Sequence, residues 1–398
     1  MINNTRARNP EYKTVNILGI RGIPAAHGGF ETFAGRLAPY LVDRGWNVNV
    51  YCQQEKDASS SGRPTRTYED DWNGIHRIHI VTDAGGSKGS VQFDWKCVSD
   101  VLKRPGIDLV LGYNTAIFNL LQRLRGRKVL MNMDGVEWRR DKWSAPIKAW
   151  LYFNEFIGAN IADVPIADHP EISKHLRRHG CTRSVVIPYG ADQILDADPA
   201  LIEPYGVESG KYLISIARAE PENSILEIVN AFSAKPRGVK LMVLGKFSED
   251  NAYHRQVRAA AGSDVIFPGA IYEPHVVSAL RYHALAYMHG HQVGGTNPSL
   301  VEALGAGNAV IAHDNRFNRW VAGDGQFYFN NVESLGGQMD LVTENEDALF
   351  RARRAASARH RSEFTWEKVL GEYETLLQRN LQVEAAKAQS ARVKPTNA

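Results

Sequence analysis

The chain has 398 residues, 43% of them hydrophobic, and a formal net charge of +3. This length exceeds what one hydrophobic core usually serves, so two domains are expected, and the small net charge gives no reason to expect a nucleic acid partner. The polar first ten residues predict no signal peptide, and no stretch approaches the ~20 apolar residues of a membrane span. The widely spaced Cys52, Cys97 and Cys181 suit neither a metal cluster nor a disulfide framework, and they predict a reducing compartment.

Short apolar runs alternate with helical patterns in the first half, which predicts a parallel sheet covered by helices. Helices are predicted over Glu31–Asp43 and residues 145–161, and an exposed loop over residues 54–73. These elements form a predicted first domain, residues 1–195. Its predicted strands are Val15–Ile20, Asn47–Cys52, His76–Val81, Leu109–Gly112, Lys128–Met133, Asp163–Ala167 and Ser184–Ile187.

The same alternation returns in a predicted second domain, residues 205–365. Residues 190–210 have few periodic apolar positions and are interpreted as the linker. A helix is predicted over residues 366–382 and a disordered tail over residues 385–398, where the residues are small or basic. The predicted strands of the second domain are Tyr212–Ile216, Lys240–Leu244, Val265–Phe267, Leu285–Met288 and Ala309–His313, and its helices are Ile225–Phe232 and one that begins at Pro298.

The start of that last helix predicts an anion site. Asn297 is a good N-cap, and Pro298 suits the first helical position, where no N–H is needed. The backbone N–H groups of Ser299 and Leu300 would then point outward at the positive end of the helix dipole. An anion at this position would be stabilised by both effects.

The residues around the helix start extend this prediction to a larger ligand. Gly294 and Gly295 precede Thr296 and have no side chains that would obstruct an anion. Glu302 lies about one turn into the helix, where a carboxylate could accept hydrogen bonds from hydroxyl groups. A diphosphate that carries sugar hydroxyls, such as a nucleotide-sugar, fits this pattern. A glycine-rich turn before an ordinary helix would give the same sequence pattern without any ligand.

The segment resembles the donor site of family 4 glycosyltransferases, which are retaining enzymes. That family has two carboxylates separated by seven residues; Glu302 matches the second, and glycine occupies position 294, where the first would stand. The resemblance covers residues 13 to 378 and extends to a bacterial subgroup that includes rhamnosyltransferases of cell-wall and capsular polysaccharide. It is also carried by the runs Asn16–Phe33, Asn132–Trp143, Ile187–Asp192 and Arg218–Asn223.

The resemblance implies the GT-B fold, an α/β architecture of two Rossmann-like parallel-sheet domains that face each other across a cleft. The first would bind the acceptor and the second the nucleotide-sugar, with the helix over residues 366–382 crossing the junction. In the family an arginine and a nearby lysine hold the donor diphosphate. Arg218 matches the arginine, whereas Asn223 stands where many members have the lysine. Ile271 and Tyr272 lie where the family seats the nucleobase.

Two further segments of the first domain are candidates. Gly28 and Gly29 follow the first strand and could let a phosphate or an acceptor approach the main chain, unless they serve only a tight turn; we assign them to the donor. Asp134 matches a position where many members have histidine, and it could bind a hydroxyl group or cap a helix. We assign acceptor binding to the segment that begins at Asp134 and includes Glu137, Trp138, Arg139 and Lys142.

Basic residues cluster in the first domain and would suit a lipid-diphosphate acceptor in an anionic membrane, although a solvated charged face is an equal alternative. The aromatic residues Trp150, Tyr152, Phe153 and Phe156 could insert at an interface, but packing in the core is the preferred interpretation. The three basic clusters are Arg123, Arg125, Arg127 and Lys128; Arg139, Arg140 and Lys142; and Lys174, Arg177, Arg178 and Arg183.

These observations predict a cytoplasmic retaining glycosyltransferase of surface polysaccharide synthesis, with Arg218, Asp134 and Glu302 as its catalytic residues. The expected donor is dTDP-L-rhamnose, with UDP-linked hexoses and GDP-mannose as alternatives. The expected acceptor is a glycan or a lipid diphosphate at the inner face of the cytoplasmic membrane. No cofactor and no metal are expected: the one Asp-x-Asp pattern, Asp196 to Asp198, lies in the predicted linker, and no His-Glu-x-x-His pattern occurs.

Two other functions stay open at this point. A sugar-nucleotide epimerase of the same architecture would need a pair of carboxylates in the cleft. A non-catalytic scaffold that binds a nucleotide or a partner enzyme is favoured by the glycine at position 294 and by Asn223. Acceptor-dependent release of free nucleotide separates the transferase from both.

Overall fold

The computed structural model describes residues 13–24, 28–55, 66–83, 85–140 and 142–392, with side chains up to residue 382. The chain divides into two compact units: residues 1–187 with 369–398, and residues 188–368. Residues 190–210 are not a free linker, because Ile202 and Val207 are only 1% and 5% exposed in the core of the second unit. Two short turns of 3₁₀ helix account for their missing α-helical periodicity.

The first unit contains an eight-stranded sheet with the order β3-β4-β2-β1-β5-β6-β7-β8. Its strands pair in parallel apart from β3 and β4. All five residues of β1 are buried, as expected for a strand covered by helices on both faces. The strands are β1 (Thr14–Leu18), β2 (Asn47–Glu55), β3 (Tyr68–Trp72), β4 (Ile75–Thr82), β5 (Ile107–Leu111), β6 (Val129–Asn132), β7 (Val164–Ala167) and β8 (Val185–Val186).

In the described part of the first unit, five α-helices precede the last strand. The first of them buries Phe33, Leu37 and Leu41, spaced four residues apart on one face, against the sheet. The sequence reading did not predict the second. These helices are α1 (Gly29–Asp43), α2 (Gly86–Val101), α3 (Leu120–Leu124), α4 (Ala145–Ile161) and α5 (Pro170–Arg177).

The predicted loop over residues 54–73 is wrong in part, because β3 and β4 form an antiparallel hairpin. Asn73 and Gly74 connect the strands with positive φ values of 51° and 79°, as a type I′ turn requires. Asp70 and Arg77 face each other across the hairpin and form an ion pair at 2.6 Å. The prediction overlooked the Asn-Gly signal; residues 56–65 lie outside the described part of the chain.

The second unit contains a six-stranded, fully parallel sheet with the order β11-β10-β9-β12-β13-β14. Its strands are β9 (Tyr212–Ile216), β10 (Lys240–Leu244), β11 (Val265–Gly269), β12 (Ala286–His289), β13 (Ala309–His313) and β14 (Phe327–Phe329). Its helices are α6 (Ile225–Ser233), α7 (Ala252–Ala259), α8 (Pro274–Tyr282), α9 (Pro298–Gly305), α10 (Arg316–Ala322), α11 (Val332–Glu344) and α12 (Glu346–Glu363).

The last helix, α13, runs from Trp366 to Arg392 and is longer than predicted. Residues 385–392 continue it, because this stretch is rich in alanine and other strong helix formers. The predicted tail is therefore helical over these residues, and residues 393–398 lie outside the described part of the chain. The three cysteines are buried free thiols. Among the described residues, no helix is apolar over a length that would cross a bilayer.

Candidate active site

The carboxyl edge of the second sheet brings the predicted donor residues together. Arg218 follows β9, and the segment from Gly290 to Asn297 follows the neighbouring strand β12. Tyr287 of β12 is in register with Ile214 of β9, so the two strands end at the same edge. Ligands of open parallel sheets bind at this edge. Arg218 is exposed and makes no ion pair or side-chain hydrogen bond within the described part of the chain.

The N-terminus of α9 has the predicted cap, with a consequence for the predicted anion site. Asn297 Oδ1 accepts a hydrogen bond from the Ser299 N–H at 3.0 Å. The Leu300 N–H donates to the Asn297 carbonyl at 3.1 Å. Both N–H groups that were assigned to the diphosphate therefore already have acceptors. Thr296 is 4% exposed, whereas a Cβ placed on Gly294, whose φ is +147°, would have no atom within 4 Å.

Glu302 belongs to a hydrogen-bonded group that the sequence did not reveal. Its Oε2 accepts a hydrogen bond from Nη2 of Arg281 on α8, which is 6% exposed. The same Arg281 nitrogen donates to Ser299 Oγ at 3.2 Å. The Tyr287 hydroxyl lies 2.6 Å from Ser299 Oγ and donates to the Ile216 carbonyl at 3.1 Å. The Glu302 side chain keeps 36% of its surface exposed, so it can still meet a ligand.

Asn223 has a structural bond rather than a free amide. It is 3% exposed, and its Nδ2 donates to the Arg218 carbonyl at 2.8 Å, which ties the residue to the loop after β9. Ser224 follows with a positive φ of 51°, and its Oγ donates to the Gly290 carbonyl at 2.8 Å. A Cβ on Gly290 would lie 2.1 Å from the Asn223 carbonyl oxygen, so only glycine fits there.

Lys246 is a cation at this edge that the sequence reading missed. It lies two residues beyond Leu244, which is in register with Ile216, two residues before Arg218. The Ala217 N–H donates to the Leu244 carbonyl at 3.2 Å, so the pairing continues past the strand ends. Lys246 is exposed and has no ion pair among the described residues. The sequence did contain a signal for this residue, namely a basic residue shortly after the predicted strand Lys240–Leu244, which pairs with β9.

His289 ends β12 with a fully buried ring, for which the sequence reading assigned no role. The ring stacks on His291 with 4.4 Å between centroids and 11° between planes. Burial holds the pKa of His289 well below its usual value, so the imidazole is neutral at pH 7. After the edge strand β11, Ile271 packs partly against the core, whereas Tyr272 is 71% exposed.

The glycines after β1 lie beside a carboxylate. Gly28 has a φ of +107° and precedes Gly29, the first residue of α1. A Cβ on Gly28 would lie 2.1 Å from Glu31 Oε2, and Glu31 Oε1 accepts a hydrogen bond from the Arg21 N–H at 3.1 Å. Because this carboxylate occupies the first turn of α1, the place suits a hydroxyl group of an acceptor better than a phosphate, the two ligands that we considered for Gly28 and Gly29.

Asp134, which follows β6, is held in a left-handed conformation. Its φ is +50°, a conformation that costs free energy and is kept mainly at functional sites. Its N–H donates to Asn132 Oδ1 at 2.9 Å. Burial raises the pKa of the Asp134 carboxyl above its ordinary value. Val136, and not Asp134, is the N-cap of the short helix Glu137–Arg139, so the capping alternative is wrong.

The rest of the predicted acceptor segment is bonded to itself and to α4. Glu137 pairs with Arg140 at 2.8 Å and with Lys142 at 2.9 Å. The Trp138 Nε1–H donates to Glu155 Oε2 at 2.9 Å. Arg139 is exposed and lies over the Trp138 ring at 5.2 Å. Of the two basic residues assigned to the acceptor, Arg139 therefore has the freer charge.

The first basic cluster is mostly neutralised. Arg127 binds the buried Asp108 at 2.6 Å, and Asp163 pairs with Arg123 at 2.7 Å and with Lys128 at 3.0 Å. These pairs link the starts of the strands β5, β6 and β7 and leave little charge for a ligand.

The third cluster divides into bonded and free residues. Lys174 pairs with Glu171. Arg183 donates to the carbonyl groups that end α4, including that of Ala162 at 2.8 Å. Arg177 and Arg178 are exposed and have no ion pair within the described ranges. They provide the free positive charge of α5.

The interpretation of the α4 aromatic residues as core is wrong. Trp150, Tyr152, Phe153 and Phe156 are 41% to 48% exposed, and Ile147 on the same helix is 42% exposed. The buried face of α4 is formed by other residues, among them Leu151 and Ile157. The exposed side chains define a surface that we call the aromatic face.

Glu155, His175 and His179 form a buried cluster with the composition of a metal site. The two histidines are four residues apart, a spacing that the sequence reading passed over. Glu155 Oε2 lies 2.9 and 3.0 Å from the Nε2 atoms of His175 and His179, and it also accepts the Trp138 N–H. Tetrahedral zinc ligands lie about 3.3 Å apart, so these are hydrogen-bond distances. We interpret the cluster as a structural group of hydrogen bonds that links α4 to α5 and to the residues just after it.

The Asp-x-Asp pattern has a local role. Asp198 Oδ1 accepts a hydrogen bond from the Ala200 N–H at 2.9 Å and caps a short 3₁₀ helix.

Two protein families match the chain. Residues 12–192 match a Domain of unknown function (DUF1972), and residues 200–361 match Glycosyl transferases group 1. No curated protein matches the sequence.

Solved structures match over nearly the whole chain. Sucrose-phosphate synthase from Thermosynechococcus elongatus has a TM-score of 0.78 at 16% identity, covering 94% of this chain and 100% of that chain. HepE from Anabaena, in complex with UDP, has a TM-score of 0.69 at 14% identity, covering 92% and 100%. A trehalose-6-phosphate structure from E. coli, bound with UDP-2-fluoro glucose, has a TM-score of 0.68 at 8% identity, covering 92% and 99%.

These matches define the class of the protein. The fold is GT-B, with two parallel-sheet α/β domains, as the sequence predicted. The chain is a glycosyltransferase whose residues 200–361 form a glycosyl transferases group 1 domain.

Proposed function

We propose that the second domain binds a nucleotide-sugar and that the chain transfers its sugar with retention of configuration. Arg218 carries this proposal, because it stands exposed and unpaired within the described chain at the carboxyl edge of the sheet. The loop that contains Gly294 follows the neighbouring strand at the same edge. A guanidinium is always charged and can bind two phosphate oxygens at once. Two structures of the same fold hold UDP or UDP-2-fluoro glucose, which supports a nucleotide ligand.

In this proposal, Arg218 stabilises negative charge on the departing diphosphate, usually the largest contribution to such a reaction. Lys246 supplies the second positive charge, since Asn223 has none. Glu302 accepts hydrogen bonds from the ribose, and Asp134 binds a hydroxyl of the acceptor. The acceptor oxygen forms a bond to the anomeric carbon while the bond to the diphosphate breaks on the same face. The leaving phosphate takes the acceptor proton.

We propose dTDP-L-rhamnose as the donor. The supporting observation is the glycine at position 294, where related enzymes have a carboxylate for hydroxyls of the transferred hexose. Rhamnose lacks one hydroxyl and has a methyl group, whose burial contributes ~0.8 kcal/mol. Calorimetric titration with dTDP-rhamnose, UDP-glucose and GDP-mannose tests this choice. Binding of dTDP-rhamnose that is no tighter than that of the other two refutes it.

The proposed acceptor is a glycan or a lipid diphosphate in surface polysaccharide synthesis, met at the inner face of the cytoplasmic membrane. The aromatic face of α4 supports a membrane contact, because tryptophan and tyrosine favour the headgroup region. The rings of Tyr152 and Phe156 lie 5.2 and 5.8 Å from that of His179, just beyond α5, so the aromatic face adjoins the free charges of Arg177 and Arg178. Anionic lipids attract such charges.

An acceptor-dependent assay tests the transferase activity itself. With dTDP-rhamnose and a membrane extract as the acceptor source, free dTDP should appear only when both are present. Release without acceptor would favour the epimerase, and no release would favour the scaffold.

A further inference from the structure

The first domain has a pocket at the place where its sheet changes direction. From β1 the chain passes through α1 to β2 on one side, whereas α2 leads to β5 on the other side of β1. Ligands of open α/β sheets bind in the crevice at the carboxyl ends of two such strands. Gly19 and Gly112, which directly follow β1 and β5, both line the pocket.

Glycine is required where the pocket begins. Gly19 has a φ of +87°, and a Cβ there would lie 2.2 Å from the Leu111 carbonyl oxygen. Gly112 has a φ of +95°. Both positions therefore exclude side chains from the crevice floor. The sequence reading placed its acceptor residues after β6 instead.

The wall of this pocket carries one carboxylate. Asp94, on α2, is the only charged side chain among the lining residues that the structure describes. Its Oδ2 accepts a hydrogen bond from the Thr115 hydroxyl at 2.7 Å. Asn114 is exposed at the rim, and Asn119 is 4% exposed. A carboxylate has about four acceptor positions, so Asp94 can accept further hydrogen bonds.

The ionised carboxylate of Asp94 lowers the stability of the folded protein. Burial raises its pKa to about 6, and the Thr115 hydrogen bond only partly opposes this shift. Asp108 on β5 is buried but differs from Asp94, because Arg127 neutralises it. Among the described residues no cation pairs with Asp94, yet its carboxyl is mostly ionised at pH 7. A partly buried carboxylate with a raised pKa and no neighbouring cation is a candidate for a ligand or catalytic site.

We propose that this pocket binds a neutral sugar unit of the acceptor, and that Asp94 accepts a hydrogen bond from one of its hydroxyl groups. The site is separate from the Asp134 segment, and it gives that proposed acceptor a second point of attachment. An anionic group is disfavoured because it would face the Asp94 charge. The inference rests on the proposed transferase function in naming an acceptor sugar, but binding can be measured without turnover.

The first test uses methyl glycosides of rhamnose, glucose, galactose and N-acetylglucosamine as probes of the full-length protein. Saturation-transfer NMR should detect at least one of them at millimolar concentration. Asp94→Asn should weaken that signal at least fivefold, because the amide donates where the carboxylate accepted. Asp43→Asn, an exposed position on α1 of the same domain, is the matched control and should change nothing.

A stability measurement separates binding from folding. The pKa of Asp94 rises from 3.8 to about 6 on folding, so its ionised form destabilises the folded state fully above pH 6, and the effect fades towards pH 4. Asp94→Asn should therefore raise Tm at pH 7.5 and raise it less at pH 5. A more stable variant that no longer binds the glycoside supports the proposal.

Two outcomes overturn it: no glycoside signal with the unaltered protein, or a signal that persists in Asp94→Asn. Failure of the proposed function would look different. In that case, calorimetry would detect no nucleotide-sugar binding, while the Asp94-dependent glycoside signal remained.

Discussion

Arg281 and Glu302 form a partly buried ion pair at the edge of the second sheet, and Arg281 Nη2 also donates to Ser299 Oγ at 3.2 Å. The arginine side chain is 7% exposed and that of Glu302 is 36% exposed. The pair therefore sets the position of the carboxylate before any ligand arrives. It also makes Glu302 part of the support for α9.

Glu302→Gln should raise the donor KM more than it lowers kcat, because contacts to ribose are nearly equal in the ground and transition states. The amide can still accept a hydrogen bond from Arg281, so Tm should fall only slightly. Steady-state kinetics over a range of donor concentrations tests this. A collapse of kcat at unchanged KM would instead place Glu302 against the reacting sugar.

Arg218→Ala should lower kcat/KM at least tenfold and leave Tm unchanged. The side chain is exposed and unpaired within the described chain, and a hydrogen bond from a charged group contributes ~1.5–3 kcal/mol. The matched control is Arg351→Ala, an exposed arginine on α12. Lys246→Met should cause a smaller loss. Near-normal turnover by purified Arg218→Ala would refute the role given to it.

Chelation with EDTA should leave the transferase activity unchanged, since Arg218 and Lys246 can serve the diphosphate and Asp198 is engaged as a helix cap. Activity is measured before and after dialysis against the chelator. If activity disappears and Mg²⁺ or Mn²⁺ restores it, Asp196 and Asp198 become candidates again.

Substituting Trp150 and Phe153 together by serine should weaken binding to vesicles that contain anionic lipid, because both rings are exposed on the aromatic face. Flotation with phosphatidylglycerol-containing vesicles measures this, and pure phosphatidylcholine vesicles should bind less protein. Leu124→Ser is the matched control, since Leu124 is 80% exposed on α3. Equal flotation of the altered and unaltered proteins would exclude this face as the membrane contact.

The strands were predictable because buried parallel strands are short, continuous apolar runs. Tyr212–Ile216 and Lys240–Leu244 were predicted with the bounds that the structure has. The helix α2 was missed because its apolar positions are few and its first turn contains glycine and lysine. The aromatic face was misread for the opposite reason: its apolar residues resemble a core stripe, and only the packed structure shows that they are exposed.

The candidate site was predictable in position but not in bonding. Residues that follow parallel strands meet at one edge, so the sequence alone places Arg218 and the loop that contains Gly294 at the same edge of the sheet. The ion-pair partner of Glu302 could not be predicted from the sequence, because Arg281 approaches it from a helix that begins 24 residues before α9. The cap by Asn297 was predicted, yet it engages the Ser299 N–H that we had assigned to the diphosphate.

Gly290 lies so close to the Asn223 carbonyl that the loop after β12 and the turn before α6 pack directly against each other, with no room for a side chain between them. Ser224 and Gln292 bridge the same two segments at 3.0 Å. Neither segment can be exchanged alone with that of a related enzyme, since a larger residue on one side needs a displaced backbone on the other. Any engineering of donor preference in this chain should therefore exchange the two loops together.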